Sequence, residues 1–378
     1  MKHKLGIPII LFLLFGQAAA QQELIPDTRR SYLSTGFGYQ MYRLGGYTNT
    51  ISQASFPISL LLPLGQRFNL TVIHTPASSR WEEGQDIDGL SDTWIVGTYI
   101  FWQEKAMVNV GVGVPTGKTK LDNDQFQLSM FLSRNALQFQ LPIYGQGFCV
   151  KSGFAVVYPA AEYVVVGAGA HYLHRRPYNP VLYEKGEVGT TSLIEYKPGD
   201  EVIGQVGVEF QALDNMKFML DGIYTYYGRD LWGDTEVYRS GQKVSMNFGF
   251  LYRLDKNYLW SQITYRHKGK IEEYRGLDLE KEAQNSNGFQ VDIDIVCKVM
   301  DLDGSGILLL GDGRFYGENE KDTRGKAAIW GLGFGVDARL SDRIRLDFHF
   351  KYLAGNYTFT EERSVEGMDT YLGFTFRL

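Results

Sequence analysis

Apolar and polar side chains alternate along several segments of this chain, and no other feature of the sequence restricts its fold as strongly. Over residues 343–352, the apolar side chains of Ile344, Leu346, Phe348, Phe350 and Tyr352 alternate with those of Arg343, Arg345, Asp347, His349 and Lys351. A period of two places successive side chains on opposite faces of a β-strand. The pattern recurs over residues 108–114, 244–252, 289–299 and 328–339, which predicts many strands with one apolar face.

The composition fits neither a helical membrane protein nor a nucleic-acid-binding protein. After Gln21 no stretch approaches 18 uninterrupted apolar residues, the length that a membrane-spanning helix needs, and the mean hydropathy is -0.21. The chain has 24 Tyr, 23 Phe and 43 Gly but only 11 Pro, a mixture that favours strands and tight turns. The net charge of -5 is mild and the basic residues are dispersed, so no nucleic-acid partner is expected.

The first twenty residues have the form of a secretory signal peptide. Lys2 and Lys4 are followed by a short apolar run over residues 5–15 and by small residues at 18–20, the order found in cleaved export signals. The domains expected are therefore a signal peptide over 1–20, a short segment over 21–30 and one barrel over 31–378. The two cysteines lie far apart, at Cys149 and Cys297, so no disulfide framework is expected.

The lengths of the connections indicate which all-β architecture the strands form. Short connections are predicted at 63–67, 103–105, 159–161, 213–215, 254–256, 301–305 and 340–342. Long ones are predicted at 77–88, 117–144, 175–199, 228–240, 268–287, 317–325 and 354–366. Alternating short and long connections between strands of about 10 residues are typical of outer-membrane barrels. Because an open sheet edge in hydrocarbon would leave backbone groups unpaired, the barrel must close.

These observations predict the fold class and the location. We expect an all-β, transmembrane, antiparallel up-and-down β-barrel of about 14 to 16 strands in the outer membrane of a Gram-negative-type bacterium. The last strand alternates Leu372, Phe374, Phe376 and Leu378 with polar or small residues. This ending resembles the signal read by the outer-membrane barrel assembly machinery, which we expect as a partner together with outer-membrane lipids.

Two short motifs flank one predicted hairpin and carry a resemblance to a known family. They are Gly89-Leu90-Ser91-Asp92-Thr93 and Val110-Gly111-Val112-Gly113-Val114-Pro115-Thr116-Gly117-Lys118. They resemble the outer-membrane long-chain fatty acid and aromatic hydrocarbon transporter superfamily, also called FadL-like, most nearly its branch associated with the phenol meta-cleavage pathway. The resemblance implies passive uptake of a hydrophobic compound. The fatty acid transporters proper carry an N-terminal plug, for which residues 21–30 leave too little chain here.

Several sets of residues are candidates for the transport path. The predicted lumen-lining residues are polar residues on the inward strand faces, namely Asn69, Thr71, Asn109, Glu209, Asp221, Asn247, Asp292, Asp294, Arg345, Asp347, His349 and Lys351. The predicted capture residues are loop aromatics, namely Trp81, Tyr144, Tyr178, Tyr183, Tyr196, Trp232 and Tyr238. Pro57 interrupts a strand-like run, and because proline cannot donate to the ladder it is a candidate lateral exit or a benign break. The pairs and triplets of glycine at 36/38, 167/169 and 331/333/335 are predicted to be small inward residues.

Three functions remain open at this point. The first is a passive, porin-like uptake channel for small hydrophobic compounds of the fatty acid or aromatic hydrocarbon type. The second is a structural or secretion-associated barrel with a filled lumen. The third is an outer-membrane lipid hydrolase, which would need a Ser and a His within hydrogen-bond reach. His74 with Ser78 or Ser79, and His171 with His174, are the candidates, but no lipase motif surrounds them. We expect no enzyme, no metal and no cofactor.

Overall fold

The computed structural model describes residues 30–46, 50–81, 85–180, 195–275, 278–281, 289–302, 304–317, 326–358 and 361–378. In this part of the chain, nineteen strand segments form one sheet, and three pairs of segments continue one another, which leaves sixteen strands. The predicted signal peptide and residues 21–29 lie outside the described residues.

The strands that contain two segments follow one another near the start of the barrel. They are β2 (Thr50–Ser55 and Ile58–Pro63), β3 (Phe68–His74 and Pro76–Trp81) and β4 (Gln85–Leu90 and Thr93–Phe101). The continuous strands in the first half are β1 (Tyr32–Leu44), β5 (Ala106–Val114), β6 (Cys149–Ala161), β7 (Val164–Arg175) and β8 (Glu201–Leu213). The second half comprises β9 (Met216–Tyr227), β10 (Lys243–Leu254), β11 (Asn257–Lys268), β12 (Gln290–Leu302), β13 (Ser305–Tyr316), β14 (Ala327–Arg339), β15 (Ile344–Thr358) and β16 (Glu362–Arg377).

Each strand pairs antiparallel with its neighbours in sequence, and the first pairs with the last. The β1–β16 ladder runs from Tyr32 opposite Arg377 to Leu44 opposite Val365, so the sheet closes on itself. A closed sheet has no edge strand whose backbone N–H and C=O groups would stay unpaired in lipid. The predicted antiparallel barrel is confirmed, with the larger of the two expected strand numbers.

The distribution of apolar side chains is the reverse of that in a soluble protein. Leu332, Val206, Trp330 and Val110 point outward, and between 57% and 77% of each is exposed. Outside the apolar cluster described below, the inward faces carry polar side chains such as Asn109, of which 2% is exposed. An apolar outer wall around a polar interior is the arrangement of a barrel in the outer membrane, as predicted. No helix in the described part of the chain is long and apolar enough to cross a membrane.

The strand register is continuous at Pro57. In the β1–β2 ladder Gly38 lies opposite Ser55 and Thr35 lies opposite Ile58, so the pairing has no shift across the interruption. Pro57 accepts a hydrogen bond from the Gly36 backbone N–H at 3.1 Å but has no N–H to return. The ladder is therefore weakened at this point, but its register has no bulge.

A bulge lies instead in β4. Pro76 pairs with Leu90 and Ile73 pairs with Trp94, so β4 has three residues where β3 has two. The extra residue falls within 91–93, inside the first of the two motifs. Bulges of this kind bend a strand and redirect side chains, and here the bend presents Asp92 to the interior.

Two of the predicted long loops are mostly strand, which corrects that part of the prediction. Residues 77–88 and 354–366 were expected to be loops, but β3 and β4 extend to Trp81 and from Gln85, and β15 and β16 extend to Thr358 and from Glu362. Cross-strand pairing beyond the apolar band stabilises these extensions, and their polar composition concealed it. Among the outer connections, five short strands form a separate sheet: Tyr196–Lys197, Arg229–Trp232, Thr235–Arg239, Glu272–Arg275 and Asp278–Lys281.

The connection between β5 and β6, residues 115–148, folds back into the barrel and is called the inner loop below. It contains one helix, α1 (Asn123–Leu132), which begins with a reciprocal capping box between Asp122 and Gln125. Seven buried side chains of the inner loop pack inside the barrel: Leu128, Leu132, Ala136, Leu137, Phe139, Leu141 and Tyr144. Their partners belong to β13–β16 and β1–β4, and include Tyr42, Ile51, Ile87, Ile329, Leu353 and Val365. One half of the wall therefore holds an apolar core within the lumen.

The outward position of Leu332 gives a direct test of the membrane assignment. Leu332 lies near the middle of β14 and is 77% exposed. Replacing it by Arg is expected to lower the free energy of unfolding in lipid vesicles by about 2–4 kcal/mol, the cost of a cation near the bilayer midplane. The matched control is Leu340→Arg in the β14–β15 turn, where the leucine is 56% exposed and little change is expected. Equal losses in urea titrations of the two variants would contradict the assignment.

Candidate functional site

Asp92 is hydrogen-bonded to both ends of the inner loop. Its carboxylate accepts the Gly117 backbone N–H at 3.0 Å and the Gln146 backbone N–H at 2.6 Å. The Asp92 backbone N–H in turn donates to the Tyr144 carbonyl at 3.2 Å. Because Asp92 belongs to the first motif and Gly117 to the second, the motifs that carried the family resemblance meet here at the base of the inner loop.

The side-chain amides of two glutamines on the wall form hydrogen bonds with the backbone of the middle of the inner loop, as the backbone of a neighbouring strand would. Gln40 on β1 donates to the Gln138 carbonyl at 3.0 Å and accepts the Gln140 backbone N–H at 2.6 Å. Gln53 on β2 donates to the Leu141 carbonyl at 2.9 Å and accepts the Leu141 backbone N–H at 2.7 Å. Gln40 and Gln53 lie directly opposite each other in the β1–β2 ladder. Their side-chain amides therefore form one continuous docking surface for residues 138–141.

Strands β12 and β13 hold the inner loop from another side. Arg314 is 1% exposed and donates from Nη1 to the Ala136 carbonyl at 2.8 Å, while its Nε donates to Asp312 at 2.9 Å. The Tyr316 hydroxyl donates to the Asn135 carbonyl at 3.0 Å. Gln138 reaches back and donates from Nε2 to Asp292 at 3.0 Å. Buried backbone groups of the inner loop thus find partners on the wall, as a docked structure requires.

A cavity of about 700 Å³ remains between the inner loop and the wall. Its loop side is formed by residues between Leu132 and Pro142, and its wall side by β1, β2, β3, β11, β12, β15 and β16. Apolar lining comes from Pro57, Ile58, Ile73, Leu132, Phe139, Pro142 and Trp260. Polar lining comes from Ser34, Gln40, Ser59, Ser133, Arg134, Asn135, Gln138, Gln140, Gln262, Thr264, Arg266, Asp292, Asp294, His349, Lys351, Asp369 and Tyr371. The volume lies within the range of small-molecule sites.

The structure places all twelve predicted lumen residues on inward strand faces, because their register follows the alternation. Four of them line the cavity: Asp292, Asp294, His349 and Lys351. The other eight, namely Asn69, Thr71, Asn109, Glu209, Asp221, Asn247, Arg345 and Asp347, lie elsewhere on the inner wall. Two of the eight are held in ion pairs, since Glu209 contacts Lys217 Nζ at 2.5 Å and Arg345 pairs with Asp337. Whether any of the twelve binds a solute stays a prediction.

Inward glycines give long side chains room to lie flat on the wall. A Cβ atom at Gly153 would collide with the His171 ring, and one at Gly207 would collide with the Asp221 carboxylate. The predicted inward glycines at 36/38, 167/169 and 331/333/335 lie on the same inner surface.

Two predicted capture residues are not in outer loops, which corrects their placement. Trp81 ends β3 and packs edge-to-face against Phe131 of α1 with ring centroids 4.6 Å apart. Tyr144 is 4% exposed in the inner loop, and its hydroxyl donates to the Ile87 carbonyl at 2.8 Å. Both aromatics support the inner loop and do not face the outside.

The remaining described capture residues lie in the outer connections. Tyr178 and Tyr196 pack edge-to-face at 6.0 Å, and the Tyr196 hydroxyl donates to Asp230. Burial raises the pKa of Tyr178 to about 12, and burial together with the Asp230 carboxylate raises the pKa of Tyr196 further. Trp232 is 42% exposed and lies, like Tyr238, in the outer sheet. Tyr183 lies outside the described residues, and a role in capture stays a prediction for all of them.

The histidines proposed for a hydrolase are bonded elsewhere. His74 Nδ1 lies 2.9 Å from the Thr93 hydroxyl, whereas Ser79 is buried against Tyr144 and Gln53. His171 faces the interior beside Gln205 at 3.0 Å, and His174 contacts Asp200 at 3.1 Å. Within the described part of the chain, none of these histidines has a serine hydroxyl as a hydrogen-bond partner, as a serine nucleophile would require.

The cysteines also fall on different faces. Cys149 is buried on the inward face at the start of β6, while Cys297 is partly exposed on the outward face of β12, opposite Leu259 and Leu309. The outward position of Cys297 agrees with the alternation pattern. Both thiols are free.

Sequence reasoning missed the residues that dock the inner loop, chiefly Gln40, Gln53 and Arg314. Their inward direction could have been read from the alternation in β1, β2 and β13. The apolar spacing of Leu128, Leu132 and the run to Leu141 was a further signal, because a solvated outer loop has no need of buried leucines.

No family model matches the chain, and no curated protein matches it in sequence. A comparison with solved structures finds matches that cover most of each chain at low identity. A TodX mutant described as a monoaromatic hydrocarbon channel matches at 9% identity and TM-score 0.47, covering 94% of each chain. OprB of Pseudomonas putida matches at 10% and 0.48, covering 94% of this chain and 96% of its own. The toluene transporter TbuX of Ralstonia pickettii matches at 8% and 0.42, covering 93% and 90%.

At such identities and TM-scores, the likenesses assign neither a family nor a substrate to this chain. The phenol-pathway branch of the resemblance therefore stays a prediction.

Proposed function

We propose that the chain is a passive outer-membrane channel for the uptake of small hydrophobic compounds, of the fatty acid or aromatic hydrocarbon type. The observation that carries the proposal is the cavity of about 700 Å³ that remains inside the closed barrel beside the inner loop. A purely structural barrel does not need a cavity of this size, lined by side chains from seven strands and the inner loop.

The apolar part of the cavity lining supports a partly apolar solute. Ile58, Ile73, Phe139 and Trp260 lie along it, and aromatic side chains bury large apolar area at low entropic cost. The N-terminal plug of the resembled transporters has no counterpart in the described residues. The segment that fills part of the lumen in this chain is the inner loop, which connects β5 and β6.

Pro57 is the candidate lateral exit within this proposal. It lines the cavity, and its neighbour Phe56 is 46% exposed on the lipid-facing side. The missing N–H of Pro57 removes one hydrogen bond of the β1–β2 ladder. A solute in the cavity would therefore contact the wall at a point where one hydrogen bond of the β1–β2 ladder is missing.

One observation favours the second function, a barrel with a filled lumen. The inner loop packs an apolar cluster across eight adjacent strands, β13–β16 and β1–β4, and its backbone is hydrogen-bonded to the wall at several points. We favour transport over the filled barrel because a cavity remains beside the inner loop. The hydrolase hypothesis has no comparable support, since the described hydrogen-bond partners of its candidate histidines are Thr93, Gln205 and Asp200.

Uptake into intact cells tests the proposal. In a strain that lacks the protein, initial uptake of a radiolabelled fatty acid or aromatic hydrocarbon is expected to fall, and to be restored by the wild-type chain. A chain in which Ser59 and Ile73, both cavity-lining, are replaced by Trp should assemble but restore little uptake, because the added rings occupy the space. Uptake that is unchanged in the deletion strain would favour the filled barrel.

A further inference from the structure

We infer that the cavity binds a hydrophobic organic cation, with the Asp294 carboxylate as the counter-ion of its positively charged group. The inference rests on the proposed uptake function and narrows its substrate class to apolar compounds that carry one positive charge. It follows from an unpaired carboxylate in the cavity wall, from the engagement of the nearby cations by other groups, and from the aromatic side chains of the lining.

The Asp294 carboxylate has no partner in the part of the chain that the structure describes. Asp294 points inward from β12, lines the cavity and is half-buried, so its exposed part faces the cavity. Its neighbour Asp292 pairs with Arg266. Gln262 lies directly opposite Asp294 in the β11–β12 ladder but donates from Nε2 to the Thr264 hydroxyl at 3.1 Å. No described hydrogen bond or ion pair involves Asp294, whose carboxylate is therefore free to bind a solute.

The cations that act on Asp294 are held by another carboxylate. Lys351 and Arg314 both interact electrostatically with Asp294. Lys351 Nζ, however, donates to Asp312 at 3.0 Å, and Arg314 donates to the same carboxylate at 2.9 and 3.2 Å. Neither cation can move to Asp294 without leaving Asp312 uncompensated in a buried position, which is costly.

The charge of Asp294 is kept at a cost to stability. Asp294 lies directly opposite Asp312 in the β12–β13 ladder, and like charges in that position destabilise a sheet. The other carboxylates that line the cavity each have a cationic partner, since Asp292 pairs with Arg266 and Asp369 lies 3.9 Å from Lys351. A residue that breaks a local rule of this kind is typical of a functional site.

The surroundings of Asp294 fit an organic cation better than a metal ion. Calcium and magnesium require six or more oxygen ligands, and no group of three or more His, Cys, Asp or Glu side chains in the described ranges is placed to hold a metal. An organic cation needs a single carboxylate, because the rest of its surface is apolar. The cavity of about 700 Å³ is large enough for such a compound.

Aromatic side chains supply the other half of the site. Trp260 lies opposite Val296 and is therefore a diagonal neighbour of Asp294, at about 7–8 Å and within reach of a ring. Phe139 of the inner loop and Tyr371 of β16 line the same cavity. The faces of aromatic rings attract organic cations and also bury apolar groups. A carboxylate beside aromatic rings thus matches an ammonium group on an apolar body.

The same arrangement discriminates against other solutes of equal size. An anion would meet the negative charge of Asp294, and a cation that turned toward it would have to leave its own carboxylate, which is costly. A neutral hydrocarbon would fill the apolar part of the cavity but gain nothing from Asp294. The preference should therefore run from cation to neutral compound to anion.

Three probes of nearly equal size test this order: benzyltrimethylammonium, its neutral isostere neopentylbenzene, and benzylsulfonate. Each is radiolabelled and supplied to the deletion strain that produces the full chain, and initial rates are compared with those of the empty-vector strain. The protein-dependent rate of the cation is expected to exceed the other two. Asp294→Asn should lower it about fivefold, the contribution of a partly exposed ion pair, without slowing neopentylbenzene. Asp294→Glu, which keeps the charge, should retain most of the rate.

The control is Asp347→Asn, the same change at an inward carboxylate of β15 that lies elsewhere on the inner wall. It should leave all three rates unchanged, and heat-modifiable migration confirms that each variant is folded. If none of the three probes enters faster than in the vector strain, the proposed uptake function itself fails. If the cation enters no faster than its neutral isostere, or if Asp294→Asn slows it no more than Asp347→Asn does, uptake stands and the inference is overturned.

Discussion

Replacing Gln40 and Gln53 together by Leu is expected to release the inner loop from the wall of the barrel. Four hydrogen bonds to the backbone of residues 138–141 are lost. Each buried backbone group left unpaired costs about 1–3 kcal/mol, and this cost shifts the segment from its docked position toward water. The wild-type chain should resist trypsin at Arg134 in the inner loop, whereas the double variant should be cut there. Its single-channel conductance in planar bilayers should rise.

The matched control is Gln205→Leu. Gln205 is an inward, buried glutamine of β8 whose amide contacts His171 at 3.0 Å and does not touch the inner loop. It should leave both trypsin resistance and conductance unchanged. A double variant that behaves like this control would show that the two amides do not hold the inner loop in place.

The alternation pattern predicted the wall of the barrel well, because the register of a strand in a membrane is fixed by the contrast between lipid and lumen. A shift of one residue would exchange the two faces, so Leu332 must point to lipid if Gly333 points inward. The same argument placed His349 and Lys351 in the lumen. Strand identity and facing direction are local properties, and local sequence carries them.

The interior could not be predicted in the same way. Whether residues 115–148 extend outward or fold into the lumen depends on partners that are distant in the chain, such as Gln40, Arg314 and Val365. Each partner is unremarkable in its own strand. The motif that contains Asp92 lies where the inner loop begins and ends, but from the sequence it indicated only a family. That Asp92 is hydrogen-bonded to the inner loop could not be predicted, because the bulge that turns its side chain inward is visible only in the pairing register.

The lumen has two parts, the apolar cluster that contacts the inner loop and the cavity beside it. Strands β13–β16 and β1–β4 supply the apolar cluster on which the inner loop rests, and β11 and β12 supply much of the opposite side of the cavity. Asp292 belongs to both parts, since it accepts from Gln138 of the inner loop and pairs with Arg266 in the cavity. The position of the inner loop and the charge balance of the cavity are therefore coupled through this one carboxylate.

Replacing Arg314 by Leu is expected to cause the largest loss of stability among single substitutions in the lumen. Arg314 is 1% exposed and bonds Asp312, the Tyr42 hydroxyl at 3.2 Å and the Ala136 carbonyl. Without it, Asp312 keeps only Lys351 as a cationic partner in the described residues, and the Ala136 carbonyl loses its donor. Removing one partner of a buried ion pair costs about 3–5 kcal/mol, which urea titration in lipid vesicles would measure.

Arg345→Leu separates this loss from the general cost of breaking an ion pair in the lumen. Arg345 pairs with Asp337, is more exposed than Arg314 and has no bond to the inner loop, so its loss should be smaller and should leave the inner loop resistant to trypsin. Arg314→Leu should lower stability and expose Arg134 to cleavage together, because the same guanidinium serves both the ion pair and the inner loop. Equal stability losses in the two variants, with the inner loop intact in both, would mean that Arg314 acts only within the wall.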